Sequence, residues 1–378
     1  MENKTILIFS AYSLPHLGGI ERYIDNLSKQ LTNYNYNIII VSSDFEFKGK
    51  KIVTEANITY ITIPVYKLFI SRYPIPKKNK ELKEIFEYLD KFEIYSVIVN
   101  TRFHLTSLLG AKYAKKRNIP IFLIEHGSQH LTVDNKILDF FGAMYEHCLT
   151  KYIKKYVQYY FGVSKAACEW QKHFKINSDG VWYNSIHDFT TDLKIKKSNK
   201  TINILYAGRL LKQKGIYELL DSFCELSKDR KNINLIIAGD GNQFDNIKKN
   251  YSLNKNIKLL GKINFDKLKK EYAKADIFVY APKWPEGLPT SILEAGLCNC
   301  AVIASPQGGI NEIIRDNENG LMINSKEELK LALDNLIVNK GLRKKLANNL
   351  KKTVSKNFLW EVTAKKIIND INERVEKK

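Results

Sequence analysis

Short runs made wholly of apolar residues alternate along this chain with longer, charged segments of helical character, and few architectures accept that rhythm. A strand that is apolar throughout must be covered on both faces, as inside a parallel sheet flanked by helices. In the first half the runs Ile6 to Phe9, Ile38 to Val41, Val97 to Val99, Ile121 to Ile124 and Tyr159 to Val163 read as such strands. The pattern pauses between Asn184 and Lys200, where apolar residues are few, and restarts with Ile202 to Ala207. Leu235 to Ala238, Ile257 to Leu260, Ile277 to Tyr280 and Ala301 to Ala304 follow, each leading through a turn into a helix. With 378 residues and 44% hydrophobic content the chain can fill two cores. The expectation is an α/β chain of two doubly wound, Rossmann-like domains, 1–188 and 189–357. After Glu327 the pattern predicts one continuous amphipathic helix to Lys356, followed by the cluster Phe358-Leu359-Trp360. On pattern alone the closing segment, 358–378, could equally pack on its own domain.

The formal charge of +20 raises the question of a polyanionic partner. Of 60 basic residues only nine are Arg, the residue that base readout and bidentate phosphate recognition favour, and the Lys excess is scattered as on solvated helix faces. Nucleic acid is therefore not expected. Five cysteines, an odd number without a zinc-like pair of pairs, suit a reduced chain. Lys4 to Ala11 has too short an apolar core for a signal sequence, and no stretch approaches the ~20 apolar residues of a membrane helix. A cytoplasmic location is expected.

Ligands of open parallel sheets sit at the carboxyl ends of the strands. After the first strand, Gly18-Gly19 opens a helix whose free amides can face a phosphate, although a plain tight turn would look the same. No Gly-x-Gly-x-x-Gly is present, which disfavours a dinucleotide oxidoreductase. After Ile202 to Ala207, Arg209 and Lys214 flank a turn that starts a helix. Two cations beside amide donors suit a diphosphate, though such charges can also be mere surface. After Ile277 to Tyr280, a rigid Pro/Gly loop carries Glu286, and Pro289-Thr290-Ser291 marks a helix start with Glu294 in its opening turns. Carboxylates there can accept hydrogen bonds from sugar and ribose hydroxyls, with the amides of Gly287, Leu288, Thr290 and Ser291 between them for a phosphate. His126 and His130 follow Ile121 to Ile124. Gly127 and Ser128 speak against a helical metal pair and no third ligand is evident, so no metal is expected. Nor does any Asp-x-Asp cradle occur.

Assembled, these residues resemble the family 4 retaining glycosyltransferases of the GT-B fold, of the bacterial surface-polysaccharide type. Five motifs stand in the family's order across nearly the whole chain: Pro15-x-x-Gly18-Gly19-x-Glu21, Glu125-His126-Gly127, Gly162-Val163-Ser164-Lys165, Ala207-Gly208-Arg209-Leu210-x-x-x-Lys214-Gly215, and Glu286 with Glu294 eight residues on. The resemblance implies two domains facing across a cleft, with Arg209 and Lys214 on the donor diphosphate, Glu294 on the ribose and Glu286 on the transferred sugar. It implies Gly18 and Gly19 near the phosphates, His126 at the reacting centre, and Gly261 to Ile263 offering backbone to the base. It also implies that the closing helix crosses back to the first domain near Phe358-Leu359-Trp360. Two motifs depart from the family: Asn184-Ser185-Ile186-His187 stands for Asn-Gly-x-Asp, and Asn311 for a proline.

The function expected is retaining, metal-independent transfer of a hexosyl or N-acetylhexosaminyl group from a nucleotide diphosphate sugar, UDP-linked, with no further cofactor. The acceptor expected is a lipid-linked glycan in surface polysaccharide synthesis. Tyr66 to Tyr73 with Lys77 and Lys78, and Lys151 to Tyr156, interleave cations with apolar groups in a manner suited to an anionic membrane face. Inward packing of one face of each stretch is the alternative. The competing readings are a basic nucleic-acid-binding or catalytically inactive GT-B scaffold, and a phosphorylase or sugar-phosphate synthase sharing the donor half.

Overall fold

The computed structural model describes residues 4–13, 18–43, 52–66, 74–132, 135–191, 193 and 200–377. Leu14 to Leu17, Lys67 to Tyr73 with Arg72, and residues 192 and 194–199 of the 184–200 stretch lie outside the described residues. The chain divides into one unit of residues up to Asn184 together with Trp360 onward, and a second of Ser185–Leu359.

The strands of the first unit are β1 (Thr5–Phe9), β2 (Asn37–Ser43), β3 (Ile52–Glu55), β4 (Ile58–Ile63), β5 (Val65–Tyr66), β6 (Ile75–Pro76), β7 (Ile94–Asn100), β8 (Ile121–Glu125), β9 (Tyr159–Gly162) and β10 (Gly180–Val181). Its helices are α1 (Gly19–Asn33), α2 (Lys80–Leu89), α3 (Leu105–Lys116), α4 (Lys136–Ile153) and α5 (Lys165–Lys172). Eight strands form one sheet in the order β10-β9-β8-β7-β1-β2-β4-β3, parallel except for the β3–β4 hairpin.

The all-apolar runs do what two-sided burial requires. On β1, Ile6 and Ile8 join Ile38 and Ile40 in a core with Tyr23, Ile24 and Leu27 of α1. Leu7 and Phe9 point the other way, into a second core with Leu82, Ile85, Ala111 and Tyr113 of α2 and α3. Fully burying each such side chain contributes about 1.5–3 kcal/mol, which makes the central strands the stable frame.

The second unit has β11 (Ile202–Ala207), α6 (Ile216–Asp229), β12 (Ile233–Ala238), α7 (Phe244–Tyr251), β13 (Ile257–Gly261), α8 (Phe265–Lys274), β14 (Ile277–Tyr280), α9 (Thr290–Leu297), β15 (Ala301–Ala304), α10 (Ile310–Ile313), β16 (Leu321–Met322), α11 (Lys326–Val338) and α12 (Lys340–Asn357). Its sheet runs β13-β12-β11-β14-β15-β16 with every pair parallel. That is the doubly wound order 3-2-1-4-5-6, which reverses direction between β11 and β14 and leaves a crevice at their carboxyl ends.

The single helix expected after Glu327 is two. The break falls at Asn339, whose backbone leaves the helical region (φ −94°, ψ 86°) and whose side chain accepts from Leu342 N at 2.9 Å. A short polar side chain that caps a new helix outweighs the periodicity that would carry the old one through. The closing helix α13 (Trp360–Glu376) packs against α1 in the first unit, burying Trp360, Ile367 and Ile371 in the same core as Tyr23. It is pinned there by hydrogen bonds from Trp182 Nε1 to Asp370 (2.8 Å) and from the Tyr36 and Tyr95 hydroxyls to Asn372 (2.9 Å each).

Candidate active site

In the second unit, the sequence-predicted residues gather at the mouths of β11 and β14. After β11 the chain turns through a single 3-10 turn, Lys212–Lys214, and enters α6 by way of Gly215. Gly215 has φ +73° and sits so close to the Ala281 carbonyl that a Cβ would overlap it, so only glycine brings Lys214 over the neighbouring strand mouth. There Lys214 Nζ forms an ion pair with Glu286 and donates to the Tyr280 hydroxyl at 3.2 Å, both carboxylate and ammonium being mostly buried. Arg209 is exposed and has no ion-pair partner among the described residues. Its charge and that of Glu286 both act on Tyr206 and Tyr280, which places them around one spot. Burial first, then the Glu286 carboxylate, raises both tyrosine hydroxyls, so they stay protonated as donors.

Glu286 and Gly287 are held by backbone the sequence reading left without a role. Gly309 N donates to the Glu286 carbonyl at 2.9 Å. Gly308 (φ +58°) packs so tightly on that same carbonyl that a Cβ would overlap it. A Gly-Gly pair after a strand was the available signal. Leu288 is buried, whereas Thr290 and Ser291 at the start of α9 are half-buried, and Pro289 offers no side-chain cap to that helix. Pro289 thus supplies no acceptor to the first amides of α9, and such a helix start suits an anion. Glu294, one turn in, is buried. Its charge ranks next after burial in raising the Tyr272 hydroxyl. Gly261 ends the edge strand β13 with φ +67°, its carbonyl accepting from Gly239 N at 2.9 Å, and Ile263 follows half-buried.

In the first unit, His126 leaves the end of β8 beside β7. Asn100 Nδ2 donates to the Phe9 carbonyl (3.1 Å), which turns Asn100 Oδ1 toward His126 Nε2 at 2.9 Å. An amide oxygen can only accept, so His126 carries its proton on Nε2 and presents Nδ1 as an acceptor. The ring meets Tyr23 edge-on at 5.1 Å. Burial, with a smaller contribution from His104, lowers His126 to about 3. It is a neutral imidazole at every ordinary pH. Among the described residues nothing lies within 4 Å of a Cβ placed on Gly19, while Gly18 is packed against the Glu21 carboxylate of the same helix turn.

The loop that carries His126 is anchored from below. Glu125 accepts from the His126 and Gly127 amides (3.1 Å each) through Oε1 and from Arg102 Nη1 (2.5 Å) through Oε2. Arg102 spans onward to Glu146 (2.6 Å) and stacks on Phe174, its guanidinium carbon 3.8 Å from the ring centroid. All three charged groups are buried. Glu146 in turn accepts from His130 Nδ1 (2.9 Å) and Leu131 N (3.0 Å). His130 thus does not join His126. The structure brings it instead beside His147 and His173, which sequence spacing did not connect because they sit on α4 and just past α5.

Of the two stretches read from the sequence as suited to a membrane face, residues 67–73 of the first lie outside the described residues. Lys154 donates to the Phe174 and Lys175 carbonyls at 2.9 Å and serves as a tie within the fold. The larger apolar exposure lies earlier on α4, where Ile137 (70%), Phe140 (66%), Leu138, Phe141 and Met144 face outward. No helix among the described residues is long and apolar enough to cross a membrane.

Comparison with known proteins bears on the family and the fold. Residues 17–187 match the model of glycosyltransferase family 4 and residues 188–353 that of glycosyl transferases group 1. An uncharacterized glycosyltransferase of Methanocaldococcus jannaschii is 31% identical over 97% of each chain. The GalNAc-alpha-(1->4)-GalNAc-alpha-(1->3)-diNAcBac-PP-undecaprenol alpha-1,4-N-acetyl-D-galactosaminyltransferase of Campylobacter jejuni is 29% identical over 46% of this chain and 52% of its own. Among solved structures, Anabaena HepE in complex with UDP-glucose superposes with a TM-score of 0.73 at 16% identity, over 98% of this chain and 99% of that one. The relatives, the two family models and the paired doubly wound sheets converge on one assignment: this chain is a family 4 glycosyltransferase with the GT-B fold.

Proposed function

We propose that the protein transfers a hexosyl or N-acetylhexosaminyl group, with retention of configuration and without a metal at the reacting centre, from a UDP-sugar to a lipid-linked glycan. The observation that carries this reading is the convergence of Arg209, Lys214 and Glu286 at the reversal point of the second sheet, beside the uncapped start of α9. An ammonium has three protons. Glu286 and Tyr280 take two from Lys214, and the third is left for a phosphate oxygen. Arg209, without an ion-pair partner among the described residues, supplies a bidentate fork to the same diphosphate. Charge that develops on the departing diphosphate is then met by two cations and the α9 amides, groups already oriented before reaction. Glu286 is left with its second oxygen for a sugar hydroxyl, and Glu294 is assigned to the ribose. On the first unit, neutral His126 is assigned to the transferred sugar as a hydrogen-bond acceptor through Nδ1, since a group at about 3 cannot act as a general acid near neutrality. Proton removal from the acceptor is assigned to the leaving diphosphate itself.

The UDP-glucose bound by HepE and the undecaprenol-PP-linked substrate in the name of the Campylobacter enzyme support the donor and acceptor classes proposed. The exposed apolar residues of α4, in a chain of net charge +20, support a peripheral seat on an anionic bilayer where such an acceptor resides. Transfer assayed with a panel of UDP-sugars and polyprenyl-diphosphate glycans, in excess EDTA, tests the proposal. Product with the anomeric configuration of the donor is expected. Activity that disappears in EDTA and returns with manganese or magnesium, or an inverted product, would overturn it.

A further inference from the structure

We infer that His130, His147 and His173 form a binding site for one divalent ion of the zinc class, separate from the sugar-transfer chemistry. Their ligand atoms all lie within 4.8 Å of one another, and His147 Nε2 and His173 Nε2 are 3.1 Å apart. Imidazole nitrogens bound to one tetrahedral zinc at ~2.0–2.1 Å stand about 3.3 Å from each other, so the pair already has nearly the required separation. The three ligands come from the loop after β8, from α4 and from the end of α5, which are fixed by packing and not by sequence proximity.

Two further observations point to a cation. His130 Nδ1 hydrogen bonds to Glu146, which settles its tautomer and leaves Nε2 as the free ligand. A carboxylate behind a metal-binding histidine is the usual way to orient the ring and raise its basicity. Behind it, Glu125 and Glu146 share the single guanidinium of Arg102, all three buried. That set offers two carboxyl groups to one guanidinium, and an ion held through His130 would lie behind the Glu146 carboxyl group. The rings are also held in place: Trp170 stacks on His173 (4.7 Å, 7°) and Phe174 packs against all three imidazoles. His147 and His173 are exposed, so the fourth position is open to water.

The ion would cross-link α4 and α5 and steady the Glu146–Arg102–Glu125 chain beneath the His126 loop. Full-length protein freed of metal by EDTA dialysis should take up one equivalent of zinc in competition with a chromophoric chelator, at a dissociation constant below about 1 µM. With cobalt it should develop the visible absorption of a four-coordinate site. His147→Ala and His173→Ala should each weaken zinc at least about a hundredfold, and Glu146→Gln about tenfold to a hundredfold. Cys148→Ser, altering the exposed thiol next to His147, should leave the stoichiometry unchanged. Circular dichroism and nucleotide binding report whether each variant is folded. Wild-type protein that shows no saturable uptake and no cobalt spectrum, or a folded His147→Ala/His173→Ala variant that binds as tightly as wild type, would overturn the inference. EDTA-resistant transfer bears only on the proposed mechanism and leaves this site standing or falling on its own titration.

Discussion

Lys214 and Glu286, 72 residues apart in the chain, form a mostly buried ion pair that joins the mouth of β11 to the mouth of β14. The proposed scheme gives the first to phosphate and the second to sugar. Because they hold each other, neither role is independent of the other.

Glu286→Gln should lower turnover by about 10²–10³ while the dissociation constant for UDP changes less than about threefold, since Lys214 and Arg209 keep their charge. Lys214→Ala should weaken UDP by about 10–100-fold, because it removes a phosphate donor and leaves a carboxylate unpaired beside the incoming anion. The double variant should recover part of that UDP loss, a coupling of about 1 kcal/mol or more measurable by calorimetry. Additive losses would mean that the ion pair does not operate in solution.

Gly308→Ala should abolish most activity although residue 308 touches no substrate in the proposed scheme. Its positive φ costs an alanine about 1–2 kcal/mol, and the added Cβ overlaps the Glu286 carbonyl, so the 286–287 loop must shift. Thermal melting should fall modestly and turnover steeply. Full turnover in a stable variant would show that the loop tolerates displacement.

His104 and His126 are held at about 4 and about 3, chiefly by burial, against about 6.5 in an unfolded chain. Their folded values are depressed, so the stability gained by keeping them neutral is complete above about pH 6.5 and is lost as pH falls from there toward 4. Each can contribute a slope of at most about 1.4 kcal/mol per pH unit. Urea midpoints measured between about pH 7 and pH 5 should therefore decline less steeply for His104→Asn than for wild type. Identical slopes would contradict the burial of a neutral ring.

Replacing Phe140 and Phe141 by Ser should reduce flotation with anionic liposomes while leaving UDP binding unchanged, since both rings are exposed on α4 and on a different unit from Arg209, Lys214 and Glu294. Replacing Lys154 should instead lower the melting temperature, because its ammonium ties two carbonyls after α5. Undiminished flotation of the Phe140/Phe141 variant would remove α4 from any membrane role.

The sequence by itself determined the frame. An uninterrupted apolar run can only be buried on both faces, and β11, β14 and β15 run between the residues at which the apolar pattern begins and ends. Loop residues at the strand mouths were legible for a related reason: a Pro/Gly turn, a carboxylate or a cation just after a buried strand has few structural uses. Contacts between elements distant in the chain were not legible. Whether Lys214 meets Glu286, which way Asn100 turns His126, and that His130 joins His147 and His173 instead of His126 depend on the order of strands in the sheet and on how α4 and α5 pack. Periodicity carries no information about these, because it records which face of an element is buried and not what it is buried against. The break at Asn339 was hidden for a different reason: one side-chain hydrogen bond to a backbone amide ends a helix without disturbing its apolar pattern.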